Sequence, residues 1–75
     1  MDKLKTQQGK FEVVIKPADN RGYFEHEDCG EEWGGGLWFE GKSLTDYDGV
    51  YELPAEVIAG IRELGFTVTK EFEND

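Results

Sequence analysis

One short helix, predicted over residues 54–64, most constrains what this chain can fold into. Pro54 marks its start, because the fixed φ of proline suits the first helical position. Gly65 is a natural C-terminal cap. Between them, a single apolar stripe recurs at helical spacing, formed by Val57, Ile58, Ile61 and Leu64. A helix of about three turns is not stable alone in water, so this stripe must pack on a sheet.

The rest of the chain supplies segments typical of strands. Residues 11–16, FEVVIK, are rich in β-branched residues and alternate apolar side chains onto one face. Shorter extended segments are predicted at 22–26, 37–40, 43–47, 50–52 and 66–70. Strands followed by one helix and a last strand predict an α+β domain: a small antiparallel sheet of about four to five strands with the helix packed on one face.

Turn residues separate these segments. PADNRG at 17–22 predicts a hairpin connection, and Gly41-Lys42 predicts a type II′ turn with glycine at its first central position. Residues 27–36 are acidic and then glycine-rich, and we expect a mobile loop there. Residues 1–9 are polar and are expected to form a flexible N-terminal arm, with a single domain over residues 10–75.

The charge is strongly negative and unevenly distributed. The 75 residues carry a net charge of −9, but residues 1–24 carry +2 and residues 25–75 carry −11. Residues 25–56 alone hold ten acidic side chains and one basic side chain, Lys42. Such a field repels nucleic acid and acidic membranes and attracts basic surfaces. The alternative is that the carboxylates serve only solubility.

The segment around the single histidine and the single cysteine is the best candidate for a metal site or a catalytic site. His26 and Cys29 with nearby carboxylates could ligate a metal, but structural zinc sites need paired ligands at two separated positions. Carboxylates around Cys29 disfavour a reactive thiolate, and no third group is positioned to orient His26 as a base. Paired carboxylates could also cleave glycosides, but a chain this short leaves little wall for a substrate pocket. We therefore expect no enzyme activity, no metal and no cofactor.

An acidic display surface is the remaining interpretation. Alternate residues of a strand face the same way at about 6.6–6.8 Å, so Glu25 and Glu27 would stand side by side. A row of carboxylates can take the place of DNA phosphates in a basic groove. The residues expected to contact a partner in this way are Glu25, Glu27, Asp28, Glu31, Glu32, Asp46 and Asp48.

The aromatic residues suggest a second kind of contact. Trp33, Trp38 and Tyr47 exceed what a small core needs, although we expect Trp38 itself to fill the core. Gly34-Gly35-Gly36 is interpreted as a flexible joint, because the lysine and helix of a phosphate loop do not follow it.

The stretch from Asp46 to Pro54, DYDGVYELP, runs into the helix and ends at Gly65-Phe66. In this stretch the chain resembles short acidic reading frames carried by phages and mobile elements, and its size and charge are similar to those of phage-encoded inhibitors such as anti-CRISPR proteins. The resemblance implies a binding inhibitor without a cofactor that acts in a bacterial cytoplasm.

The sequence therefore predicts a monomer or homodimer that binds a basic nucleic-acid-binding protein or defence complex, and neither nucleic acid itself nor a membrane. The single unpaired Cys29 fits a reducing compartment such as the cytoplasm. The alternative is a non-catalytic structural or regulatory module that uses its aromatic surface or a sheet edge.

Overall fold

The fold is an antiparallel sheet in which strands that are neighbours in sequence are also neighbours in space. A computed structural model describes residues 3–48 and 53–72, with the side chains of residues 30–33 left outside the description. The strands are β1 (Leu4–Gln8), β2 (Phe11–Lys16), β3 (Arg21–His26), β4 (Gly30–Glu40) and β5 (Ser43–Tyr47), and the helix is α1 (Ala55–Glu63). The α+β class and the single helix on one face are thus confirmed. The strand predicted at 50–52 lies outside the described residues.

Two glycine-lysine turns set the register of the outer hairpins. Gly41 has φ of +63° between the paired residues Glu40 and Ser43, and Lys42 has a negative φ, as in the predicted type II′ turn. Gly9, with φ of +58°, closes the β1–β2 hairpin between Gln8 and Phe11 in the same way. Residues 4–8 therefore form an edge strand where the sequence predicted a flexible arm.

The β2–β3 connection follows the predicted turn cluster. Pro17–Asp19 form a 3₁₀ turn, and Asn20 adopts the left-handed conformation, with φ of +56°, that closes the loop. The carbonyl of Asn20 accepts a hydrogen bond from the N–H of Phe39 at 2.9 Å. This contact ties the loop to the far end of β4.

β4 contradicts the mobile loop predicted over 27–36, because its extended backbone already begins at Gly30. The pairing with β3 is irregular at this point. Phe24 pairs with Gly35 and His26 pairs with Gly30, so four residues of β4 (31–34) stand opposite Glu25 alone. The turn at 27–29 and this bulge therefore take up the acidic segment, while the glycines continue into the sheet.

The core lies between α1 and one face of the sheet. It contains Val13, Ile15, Phe24, Leu37, Phe39, Leu44, Leu53, Val57, Ile61 and Phe66 among other buried side chains. α1 packs across β1 and β2. Gly60 makes this approach close, because a Cβ at that position would lie 2.8 Å from Val13 Cγ2. On the edge strand, the side chains of Gln8 and Thr6 both donate hydrogen bonds to Glu63 Oε1, which fastens β1 to the helix.

Both ends of α1 lie within one residue of the prediction. Pro54 is the N-cap, so the helix begins at Ala55. At the other end, Phe66 N–H donates to the carbonyl of Ile61 and Gly65 N–H donates to that of Arg62, which is the hydrogen-bond pattern of a Schellman cap. Gly65 supplies the φ of +95° that this cap requires.

The last predicted strand, 66–70, is not formed as a strand. Only Thr67 pairs, in a parallel bridge with Ser43, where its N–H donates to the carbonyl of Lys42 at 2.7 Å and its carbonyl accepts from the N–H of Leu44 at 3.0 Å. The chain then turns into a 3₁₀ helix over Lys70–Phe72, and the ring of Phe72 packs against Tyr47. Burial of Phe66 and Val68 accounts for the alternation in the sequence, and it does so without a sixth strand.

We predict that Gly60→Ala destabilises the protein, although alanine is the better helix former. The new methyl group would overlap Val13 and come within 3.1 Å of Gln8 Cγ. We expect the overpacking cost of about 1–3 kcal/mol to exceed the helix-propensity gain of about 1 kcal/mol. Urea unfolding measures the difference. In the Val13→Ala background, Gly60→Ala should lower the free energy of unfolding by less, since the closest clash is removed. If the Gly60→Ala protein were as stable as the wild-type protein or more stable, the close packing of α1 on β2 would be contradicted.

Candidate partner-binding surface

The face of the sheet opposite α1, which we call the open face, is the main candidate for binding. α1 and the 3₁₀ turn at 70–72 both pack on the other face. The cross-strand pairs Val14–Tyr23, Tyr23–Gly36 and Trp38–Asp46 assign side chains to the open face. With the alternation along each strand, it comprises Lys5, Gln7, Glu12, Val14, Lys16, Arg21, Tyr23, Glu25, Gly36, Trp38, Glu40, Asp46 and Asp48.

Trp38 lies at the centre of this surface and not in the core, where the sequence predicted it. Its ring folds along the strand over Gly36: a Cβ built on Gly36 would lie 3.1 Å from Cη2 and 3.3 Å from Cζ3. The guanidinium carbon of Arg21, on the neighbouring strand, is 5.6 Å from the ring centroid. Trp38 and Tyr23 are each half-buried. The open face therefore presents an indole ring supported from below by glycine backbone.

The open face is polarised in charge. Its basic side chains, Lys5, Lys16 and Arg21, all lie on β1–β3, and Lys5 approaches Glu12 at 3.8 Å. The charged open-face side chains on β4, on β5 and directly after it are all carboxylates: Glu40, Asp46 and Asp48. A ligand with a positive charge is thus favoured over β4 and β5, and a negative charge is favoured nearer β1 and β2.

The structure brings together only part of the predicted acidic set. Glu25, Asp46 and Asp48 share the open face, and the N–H of Asp48 bonds the carbonyl of Gly36 at 2.8 Å. β3 and β5 are two strands apart, so Glu25 is separated from the aspartates by roughly 10 Å or more. Glu27 and Asp28 lie in the turn beyond β3.

The side chains of Glu31 and Glu32 are outside the description. The other five expected contacts do not form one row. Glu25, Asp46 and Asp48 lie on the open face, Asp28 lies in the turn, and Glu27 borders the open face from the turn, where its Oε1 accepts a hydrogen bond from Gln7 Nε2 at 3.5 Å.

Asp28 is neutralised by a cation. Lys10 Nζ lies 2.9 Å from Asp28 Oδ2, and both side chains are exposed. The hydrogen bond from Lys10, and then its positive charge, hold the pKa of Asp28 below its usual value. The same pair raises the pKa of Lys10, with a further contribution from Glu27. Asp28 is therefore a poorer phosphate substitute than the sequence suggested.

His26 stabilises the turn that follows β3. Its Nδ1 accepts hydrogen bonds from the backbone N–H groups of Asp28 at 3.1 Å and Cys29 at 3.2 Å. Its ring meets Phe11 edge-on at a centroid distance of 5.0 Å. Since Nδ1 already accepts these amide protons, it does not act as a base toward the Cys29 thiol. No group of three or more potential metal ligands is found within residues 3–48 and 53–72.

A half-open cavity of about 300 Å³ adjoins the aromatic centre, lined by Tyr23, Phe24, Glu25, Gly34 and Gly35. It lies where the β4 bulge interrupts the pairing with β3. Sequence reasoning missed Arg21 and Tyr23 as surface residues. The alternation of Tyr23 with Glu25 in the segment predicted at 22–26 was the available signal for Tyr23, whereas Arg21 had been assigned to the turn at 17–22.

Comparisons with protein-family models, curated proteins and solved structures found no match. In the described part of the chain, α1 is too short and too polar to cross a membrane.

We predict that Lys10→Met raises the pKa of Asp28. In the folded protein that pKa lies below the unfolded value, so the pair stabilises the protein above the unfolded pKa and the stabilisation disappears as the pH falls through the folded pKa. Carboxyl ¹³C NMR titration measures both proteins. Lys16→Met is the control, because Lys16 forms no ion pair with Asp28, and an unchanged Asp28 titration in Lys10→Met would show that the pair does not exist in solution.

Proposed function

We propose that the protein is a non-catalytic binding protein that docks the β4–β5 side of its open face on a basic surface of a nucleic-acid-binding protein. In this position it would compete with nucleic acid, in the manner of phage-encoded inhibitors of bacterial defence complexes. The observation that carries the proposal is the juxtaposition of Trp38 and Tyr23 with the carboxylates of Glu25, Asp46 and Asp48 on a sheet face that no helix covers within residues 3–48 and 53–72.

The charge pattern supports competition with phosphates. Asp46 and Asp48 are two residues apart on one face, which separates them by about 6.6–6.8 Å along β5. Glu25 stands two strands away, on the other side of Gly36. Carboxylates on both sides of the aromatic pair Trp38 and Tyr23 offer lysine and arginine acceptors similar to phosphates flanking a groove. The net charge of −9 adds long-range attraction to a basic target.

The aromatic centre supports a protein partner over a purely electrostatic one. Tryptophan, tyrosine and arginine are the residues that most often dominate the binding energy of protein interfaces. Here Trp38, Tyr23 and Arg21 are adjacent on β3 and β4. A partner that covers them also desolvates the neighbouring carboxylates, which strengthens their contact with its cations. The proposed site of action is the bacterial cytoplasm, where Cys29 stays reduced.

The outer edge of β1 favours a second candidate, a regulatory module that pairs with another strand, including one from a second copy. β1 is the first strand of the sheet and has β2 on one side only. Lys5 on this short strand, and Lys3 directly before it, are typical of edges that are protected against pairing, so we rank this candidate second. Charge changes on β3 and β5 would leave edge pairing intact.

We predict that the protein inhibits DNA binding by a purified target such as a CRISPR surveillance complex, and that Glu25→Lys/Asp48→Lys abolishes the inhibition. Asp46 is left unchanged because its carboxylate accepts the N–H of Tyr47 at 2.8 Å. The control is Glu56→Lys/Glu71→Lys, which makes the same change in net charge on α1 and on the 3₁₀ turn. Gel-shift competition should show a loss of about tenfold or more for the first variant, equivalent to roughly 1.4 kcal/mol, and little change for the control.

Raised salt should weaken the inhibition steeply, since exposed charges are screened. If both double variants lost the same amount of inhibition, net charge and not the open face would account for the inhibition. No inhibition by the wild-type protein across a panel of such complexes would refute the competitive function.

A further inference from the structure

The indole of Trp38 occupies the space that a side chain at position 36 would fill. A Cβ on Gly36 would lie 3.1 Å from Cη2, 3.3 Å from Cζ3 and 3.8 Å from Cζ2, so the six-membered part of the ring lies next to Gly36. Tyr23 pairs with Gly36 from β3, and the backbone of Asp48 bonds Gly36 from the β5 side. The Trp38 ring, which we call the platform, therefore packs next to Gly36 and is bordered by an aromatic side chain and by a carboxylate-bearing residue.

The protein already places a guanidinium on this platform. Arg21 is exposed, and its guanidinium carbon lies 5.6 Å from the Trp38 centroid. Within residues 3–48 and 53–72 we find no carboxylate paired with Arg21, so the stacking on Trp38 is its described interaction. A cation–π contact at an exposed site is weak and exchangeable. Arg21 therefore occupies the platform reversibly.

We propose that Trp38 is the docking platform for an arginine side chain of the basic partner, and that Arg21 holds this place in the free protein and leaves it on binding. The proposal rests on the proposed function, because it assumes a basic partner. Asp46 and Asp48 lie beside the platform. Their carboxylates would accept hydrogen bonds from the N–H groups of the partner's arginine.

The chemistry of the platform favours arginine over the other candidate occupants. A planar guanidinium stacks on an aromatic face while its N–H groups reach carboxylates in the ring plane, which the ammonium of lysine does less well. A nucleobase would bring its phosphates toward Asp46 and Asp48. A second copy carries the same net charge of −9, and this self-repulsion opposes pairing of two open faces.

The test uses the full chain with Trp33→Phe, so that one indole N–H signal reports on Trp38. Blocked tetra-arginine is titrated and followed by ¹H–¹⁵N NMR, with blocked tetralysine as the comparison. We expect tetra-arginine to shift the Trp38 indole signal and to bind more tightly than tetralysine. Trp38→Leu should weaken tetra-arginine binding about fivefold or more. Gly36→Ala, which pushes the ring off its support but keeps it aromatic, should also weaken binding.

Arg21→Gln provides the sharper measurement, because removal of the competing side chain should tighten tetra-arginine binding by about two- to fivefold. Lys16→Gln is the matched control: Lys16 pairs with Arg21 across the strands and carries the same charge on the same face, but it does not contact Trp38. A gain in Lys16→Gln as large as that in Arg21→Gln would overturn the placeholder role of Arg21 and leave only a charge effect.

The outcomes also separate this inference from the proposed function. If Glu25→Lys/Asp48→Lys no longer binds tetra-arginine but Trp38→Leu still binds it as tightly as the wild-type protein, the role of the acidic residues is supported and the role of Trp38 is refuted. If the wild-type protein binds neither peptide, both are refuted. A shift of the Trp38 signal by single-stranded oligothymidine, or by raised protein concentration without peptide, would assign the platform to a nucleic acid or to a second copy and overturn the arginine assignment.

Discussion

The close contact of α1 with β1 and β2 decides the rest of the structure. Gly60 lets the helix backbone approach Val13, and the Schellman cap at Gly65 then sends the chain back across the sheet to bridge Ser43. With one helix and one returning segment, the described chain covers a single face of the five strands. No described helix packs on the other face, so the side chains that alternate away from the core form the candidate binding surface.

Several elements of the fold could be predicted from local sequence patterns alone. The helical stripe and the alternation at 11–16 each predicted the correct element, because both patterns depend on near neighbours. The turn at Gly41-Lys42 was predicted from its two residues, and the same two residue types at Gly9-Lys10 form the same turn. The sequence around Gly9-Lys10 therefore contained the signal for the β1–β2 hairpin, and with it for β1.

Other features depend on contacts between distant segments and could not be predicted in this way. The strand-like alternation at 66–70 reflects burial of Phe66 and Val68 in the core. Only tertiary packing distinguishes such a segment from a strand. The bulge of β4 opposite Glu25 depends on the pairing register of two strands. The acidic patch failed to form one row for the same reason: sequence proximity placed Asp28 near Glu27, and the fold then placed Lys10 beside it.

The three consecutive glycines illustrate how a residue type can carry opposite meanings. Read alone, they indicate a flexible joint, and glycine does weaken a strand by its conformational freedom. In the sheet, however, Gly36 provides space on the open face that the ring of Trp38 fills. The loss of strand stability is thereby offset by van der Waals contact with Trp38. An indole held in this way loses little further freedom when a partner binds, which is the property expected of an interface anchor.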